Sequence, residues 1–206
     1  MSSLNFDLEL PPFEKAIQLY GDRAGGQGNF EFAGLANLRE SKVVLLKGNA
    51  KSLEQPADWR RFFRLTNLAQ RLSKPLLLWN LPLIHITATQ HTISLVLGSA
   101  IQNTKMQLLK LPQPIITVFD GNYNWSDIIT KELGWVDGGV VVKPEKEVLS
   151  TFPNLEKQNL KIVCEKSDIS KQILKLLQEV SQVNSEELIA NRLESFSLSI
   201  EKSVIK

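Results

Sequence analysis

Residues 56–79 read PADWRRFFRLTNLAQRLSKPLLLW, and the pattern within them changes once. Trp59, Phe62, Phe63, Leu65, Leu68, Ala69 and Leu72 recur at helical spacing, while Arg60, Arg61, Arg64 and Arg71 fall mostly off that stripe. Asp58 stands where a helix cap is expected. Pro75 breaks the period, and Leu76-Leu77-Leu78-Trp79 has the short, uninterrupted apolar character of a strand buried on both faces. A helix that leads through proline into such a strand predicts an α/β fold, because the strand needs cover on both sides.

The same unit recurs along the chain. A helical region within residues 87–111 is broken at Pro112-Gln113-Pro114 and followed by the apolar run 115–119. Ser126 can cap a third helix ending at Gly134, ahead of a strand at 140–142. Upstream, residues 30–38 and 43–46, separated by Arg39-Glu40-Ser41-Lys42, read as a β-hairpin. Pro12, then Phe13, Ala16, Ile17 and Tyr20 with Gly21 behind them, predict a short amphipathic helix. Downstream come a weak strand at 161–164 and two helices, 169–180 behind Asp168 and 188–196, where Asn184 and Glu187 have capping-box spacing. Right-handed crossovers are expected between the parallel strands. The organisation is one domain over residues 1–206, with 168–206 as a C-terminal helical arm.

Composition narrows the function classes. The 206 residues are 43% hydrophobic and 22% charged, enough for a sizeable core. Twenty-four Lys and Arg against 22 Asp and Glu give a formal charge of +2, which supplies no basic field for nucleic acid. Cys164 is the single cysteine, so neither an intramolecular disulfide nor a thiolate-rich zinc site is available, and a reducing compartment is expected. The N-terminal residues MSSLNFDLELPPFE are acidic without an apolar leader core, and no run approaches the roughly 20 residues that span a bilayer. A cytoplasmic protein with no membrane or nucleic-acid partner is the expectation.

Few residues carry an obvious chemistry. Gly25-Gly26-Gln27-Gly28 lacks the Lys-Ser/Thr of a phosphate loop and does not join a buried strand to a helix, so it reads as a turn. His85 and His91 are six apart and share no helix face. Arg60, Arg61 and Arg64 read as a solvated helix face rather than an acid-binding site. Trp59, Trp79, Trp125 and Trp135 are scattered without interleaved cations and read as core or interface residues. Cys164, with an apolar flank, reads as inert.

The order of these elements resembles the α subunit of the bacterial and plastid acetyl-CoA carboxylase carboxyltransferase. Tyr20-Gly21-Asp22-Arg23 is similar to the family's His-Gly-Asp-Arg signature. Residues 56–82 resemble its aromatic-basic helix, which passes through Leu-Ala-Glu-Arg and proline into a buried strand. PIITVFDG at 114–121 resembles the second buried strand, and NSEELIANRLESF at 184–196 the terminal helix with its Asn-Arg pair. The resemblance implies a crotonase-like spiral of ββα units with C-terminal helices. It also implies a family reaction that passes a carboxyl group from carboxybiotin to acetyl-CoA, stabilised by backbone N–H groups at glycine-rich turns.

Those turns are altered here. Asn80-Leu81-Pro82-Leu83 replaces Asp-Thr-Pro-Gly, and Gly121-Asn122-Tyr123-Asn124-Trp125-Ser126-Asp127-Ile128 replaces Gly-Glu-Gly-Gly-Ser-Gly-Gly-Ala. The resemblance therefore implies a degenerate, non-catalytic binding or regulatory subunit that holds no cofactor, in a homo-oligomer or in complex with a carboxyltransferase β subunit. The C-terminal residues Ile173, Leu176, Leu177, Val180, Leu188, Leu193 and Phe196 are the apolar faces expected to meet that partner. Two alternatives stand beside it. One is a divergent active α subunit serving malonyl-CoA and fatty acid synthesis; the other is a crotonase-fold acyl-CoA enzyme with new chemistry at His85, Asp120, Asn122 and Tyr123.

Overall fold

The computed structural model describes residues 12–21, 26, 28–49, 51–81, 95–120, 135–142, 160–163 and 165–204. Seven strands form one mixed sheet whose spatial order is the chain order: β1 (Lys15–Gln18), β2 (Phe32–Leu38), β3 (Ser41–Lys47), β4 (Leu76–Trp79), β5 (Ile115–Phe119), β6 (Gly138–Val142) and β7 (Leu160–Val163). The first three are antiparallel, and β3 to β7 run parallel. Four α-helices are described: α1 (Pro56–Leu72), α2 (Leu95–Leu109), α3 (Ile169–Val180) and α4 (Ser185–Val204). The chain is α/β, as its helix–proline–strand units predict.

The continuously apolar strands divide their side chains between two cores. Val44, Leu46, Leu76, Leu78, Ile115, Phe119 and Val141 pack with Trp59, Phe62, Leu65 and Ala69 of α1 and Leu97, Leu108 and Leu109 of α2. Val43, Leu45, Leu77, Trp79, Ile116, Val118, Val140 and Val142 point the other way, toward Ile169, Ile173, Leu176, Leu177 and Val180 of α3. Two-sided burial is why these strands lack a polar alternation.

Three expectations are corrected. The helix expected over residues 12–20 is strand β1, paired antiparallel with β2 from Lys15↔Asn37 to Gln18↔Gly34. A nine-residue helix is too short to hold itself, whereas the hairpin edge offers a ladder that Glu14 N–H and Leu19 N–H extend to Asn37 and Ala33 carbonyls. Alternation then governs exposure: Ala16 is buried and Ile17 exposed. Helix α1 starts ahead of Asp58, with Pro56 in the first turn and Gln55 as its cap; Asp58 accepts the Gln55 N–H at 3.2 Å. Along the same helix Phe63 and Leu72 are exposed, while Arg61 is buried. The helix ends at Ser73 in the left-handed region (φ 52°).

The hairpin and the strands at 76–79, 115–119 and 140–142 agree with the sequence reading, as does α3. Asn184 Oδ1 accepts the Glu187 N–H at 2.8 Å, and α4 runs past the expected end at 196. The helix expected over 126–134 lies outside the described residues.

Candidate functional site

The carboxyl ends of β3, β4 and β5 lie side by side, the edge of a parallel sheet where ligands are usually met. Gly48 follows β3, Asn80 and Leu81 follow β4, and Asp120 follows β5. Gly48 donates its N–H to Trp79 O at 2.8 Å, and Asn80 donates its N–H to Val118 O at 2.8 Å. The Asn80 side chain then bridges to the next strand. Its Nδ2 donates to Asp120 Oδ1 at 2.6 Å, and its Oδ1 accepts the Asp120 N–H at 3.1 Å. Asn80 holds φ 51°, a conformation that asparagine tolerates better than most residues.

Leu81 is buried in the α1-side core. A Cβ placed on Gly48 would run into the Leu81 side chain and within 3.0 Å of Asn80 O, so the two turns close on each other and glycine is the residue that fits between them. Lys166, mostly exposed, places Nζ 3.8 Å from Asp120 Oδ2. An oxyanion site needs backbone N–H groups aimed at open space. Among the described residues of this edge, the N–H groups of Gly48, Asn80 and Asp120 are engaged by protein acceptors, and Leu81 packs beside Gly48.

Of the turn residues singled out above, Asn80 and Leu81 are thus brought together with Asp120. Pro82, Leu83, Gly121, Asn122, Tyr123, Asn124 and Trp125 lie outside the described residues, as do His85, His91 and Cys164. Trp59, Trp79 and Trp135 are buried, in keeping with packing roles, and Trp59 Nε1 donates to Leu53 O at 2.8 Å. Gly28 adopts φ +67° and lies against Asp58, where a Cβ would come 2.5 Å from Oδ1. Asn29 N–H donates to that same carboxylate. Gly28 thus lies against the α1 cap, while Gly25 and Gln27 are outside the described residues; burial raises the Asp58 pKa against the pull of the Asn29, Gln55 and Leu53 N–H groups and the Arg61 charge.

The arginine cluster departs from a simple solvated face. Arg61 is buried and reaches Leu19 O, and Arg64 reaches Tyr20 O at 3.2 Å, so both tie α1 to the end of β1. Burial, and then the neighbouring Arg64 charge, lower the Arg61 pKa. Among the described residues no group of three or more His, Cys, Asp or Glu could hold a metal ion, and no described helix is long and apolar enough to cross a membrane.

One buried pair escaped the sequence reading. Arg192 and Asp137 are both inaccessible and joined by two contacts, Nε to Oδ1 at 2.7 Å and Nη2 to Oδ2 at 2.6 Å. The only signal was an arginine four residues after Leu188, on the apolar side of α4. The chain matches no protein-family model, and no curated protein matches it.

Proposed function

We propose that this chain is a degenerate relative of the carboxyltransferase α subunit, of crotonase-like architecture, which binds or regulates a partner in the cytoplasm instead of transferring a carboxyl group. The observation that carries the reading is the closed edge at β4 and β5. Among the described residues of the two turns, the first N–H after each strand is engaged, Leu81 is buried, and Asn80 and Asp120 are clamped to each other, which supports a reading without open oxyanion donors there. Two features support the crotonase-like part. A β-β-α unit (β2, β3, α1) opens the parallel region, and α1 and α2 cover the same face of the sheet. The terminal Asn-Arg pair that carries part of the resemblance includes Arg192, which locks the fold here, and a structural role for that residue supports a reading in which the turns alone diverge.

The partner class is a carboxyltransferase β subunit or a second copy of this chain. The test combines the purified protein with a competent β subunit, a carboxylated biotin donor and acetyl-CoA. Expected is turnover more than 100-fold below that of an authentic α subunit, since loss of one oxyanion donor alone costs about 3–4 kcal/mol. Turnover within about tenfold, a barrier difference near 1.4 kcal/mol, overturns the reading in favour of a divergent active subunit.

A further inference from the structure

Polar side chains join α1 to α2 at two places. Thr104 Oγ1 donates to Trp59 O at 3.0 Å, and Gln107 Nε2 donates to Gln70 Oε1 at 2.9 Å. Asn67 and Asn103 stand one turn before Gln70 and Gln107 on their own helices, so each pair shares a helix face. Each asparagine is one methylene shorter than the glutamine that follows it, and among the described residues neither carboxamide takes part in a hydrogen bond. Where the glutamines meet, the asparagines instead line a cavity of about 620 Å³.

That volume falls in the range of roughly 300–1,000 Å³ typical of small-ligand sites. Leu65, which is buried, and Leu68 and Ala100, partly so, give the cavity an apolar floor, and Phe63, 37% exposed, adds an aromatic ring. The small Ala100 lies one turn before Asn103 and leaves room above the floor. Arginine stems complete the walls, and guanidinium planes stack on flat rings whatever else they pair with.

A carboxamide offers a C=O acceptor and an N–H donor side by side. The group that answers both at once is another amide with its own N–H and C=O on the same side, which a ring enforces. The Gln70–Gln107 bond is a one-bond version of that pairing, made between these two helices. An aliphatic chain displaces water from the asparagines without replacing its hydrogen bonds, and a sugar has no flat face for Phe63 and the leucines.

We propose that the α1–α2 cavity binds a small, flat, neutral cyclic amide, its N–H/C=O edge on Asn67 and Asn103 and its ring faces against Phe63, Leu68 and Ala100. The site uses neither turn of the carboxyl-end edge, so the proposal stands apart from the carboxyltransferase reading.

The test titrates the whole chain with quinolin-2-one and with N-methylquinolin-2-one, which keeps the ring and carbonyl but lacks the N–H. Calorimetry gives the affinity, and NMR follows the side-chain NH₂ signals of Asn67 and Asn103. Quinolin-2-one is expected to bind one to one with Kd below about 1 mM and to shift both NH₂ signals, and the N-methyl compound to bind at least tenfold more weakly. Asn103→Leu, at an exposed position, is expected to weaken quinolin-2-one at least tenfold without altering the thermal unfolding of the free protein. Ala100→Phe, which fills the space over the floor, is expected to abolish binding. The proposal is overturned if quinolin-2-one does not bind, if the N-methyl compound binds as well, or if Asn103→Leu leaves the affinity unchanged.

Discussion

Arg192 does the work of several residues. Besides its two contacts with Asp137, Nη1 donates to Leu108 O at 3.1 Å and Leu111 O at 2.5 Å, and Nη2 to Gln113 O at 2.9 Å. One guanidinium thus caps the open carbonyls at the end of α2, holds the Pro112–Pro114 break, and fixes Asp137, which in turn accepts the Ile115 N–H at 2.7 Å. Removing one partner of such a pair strands the other charge, so Arg192→Met is expected to cost about 3–5 kcal/mol in urea unfolding at pH 7. The pH dependence identifies the cause. Burial raises the Asp137 pKa, with Arg192 and the Ile115 N–H pulling the other way. A carboxyl whose native pKa lies above its unfolded value contributes stability that is complete below the unfolded value and lost as pH rises through the native one. Without Arg192 the native value climbs further, so the deficit of Arg192→Met is expected to shrink between pH 7 and pH 5; an equal deficit at both would assign the loss to packing. Asn80 supports a second comparison at this scale. Asn80→Ala loses both bonds to Asp120 and places a Cβ-bearing residue of poor left-handed tolerance at φ 51°, for about 1–3 kcal/mol. Asn80→Gly removes only the bonds and is expected to be the milder of the two by about 1 kcal/mol.

At the scale of elements, β1 is where local pattern and final structure part company. Its apolar spacing fits a helix, yet the decisive residue is Gly34 on the neighbouring strand, since a Cβ there would collide with Ile17 O. Gly34→Ala is therefore expected to loosen β1 alone. Amide exchange at Ile17 and Leu19 should accelerate at least tenfold while β4 and β5 stay protected; uniform exchange across the sheet would show that β1 is integral to the global unfolding unit. Strands β4, β5 and β6 were legible because burial on both faces writes itself into an unbroken apolar run, and α1 because Trp59, Phe62, Leu65 and Ala69 keep strict helical spacing. What a window of sequence does not contain is the long-range partner. Gly34 matters through Ile17, Gly28 through Asp58, and Arg192 through Asp137, 55 residues away. The candidate site was half legible for the same reason. Asn80 and Leu81 stood out as departures from a resembled turn, but their closure on Gly48 and Asp120 depends on strand neighbours set by the sheet.

For the molecule as a whole, the apolar faces expected to drive association prove to be in use within the chain. Ile173, Leu176, Leu177, Val180 and Leu188 are buried, most of them as the cover of the sheet's second face, and Leu193 is the exposed remainder among those whose side chains are described. Any partner surface is therefore sought elsewhere, among exposed apolar side chains such as Tyr20 and Phe63. The sheet itself carries one more consequence. Because spatial order equals chain order, each strand's neighbour on one side has already been synthesised by the time it emerges. A nascent chain leaving the ribosome at about 5–20 residues per second can thus add strand to strand without leaving a gap for a later segment to fill. Arg192 is synthesised after all seven strands and reaches back 84 residues to Leu108. Assembly from one edge is thus followed by a late latch: the Arg192 guanidinium, carried by the last described helix, closes onto strands and a helix end that were made long before it.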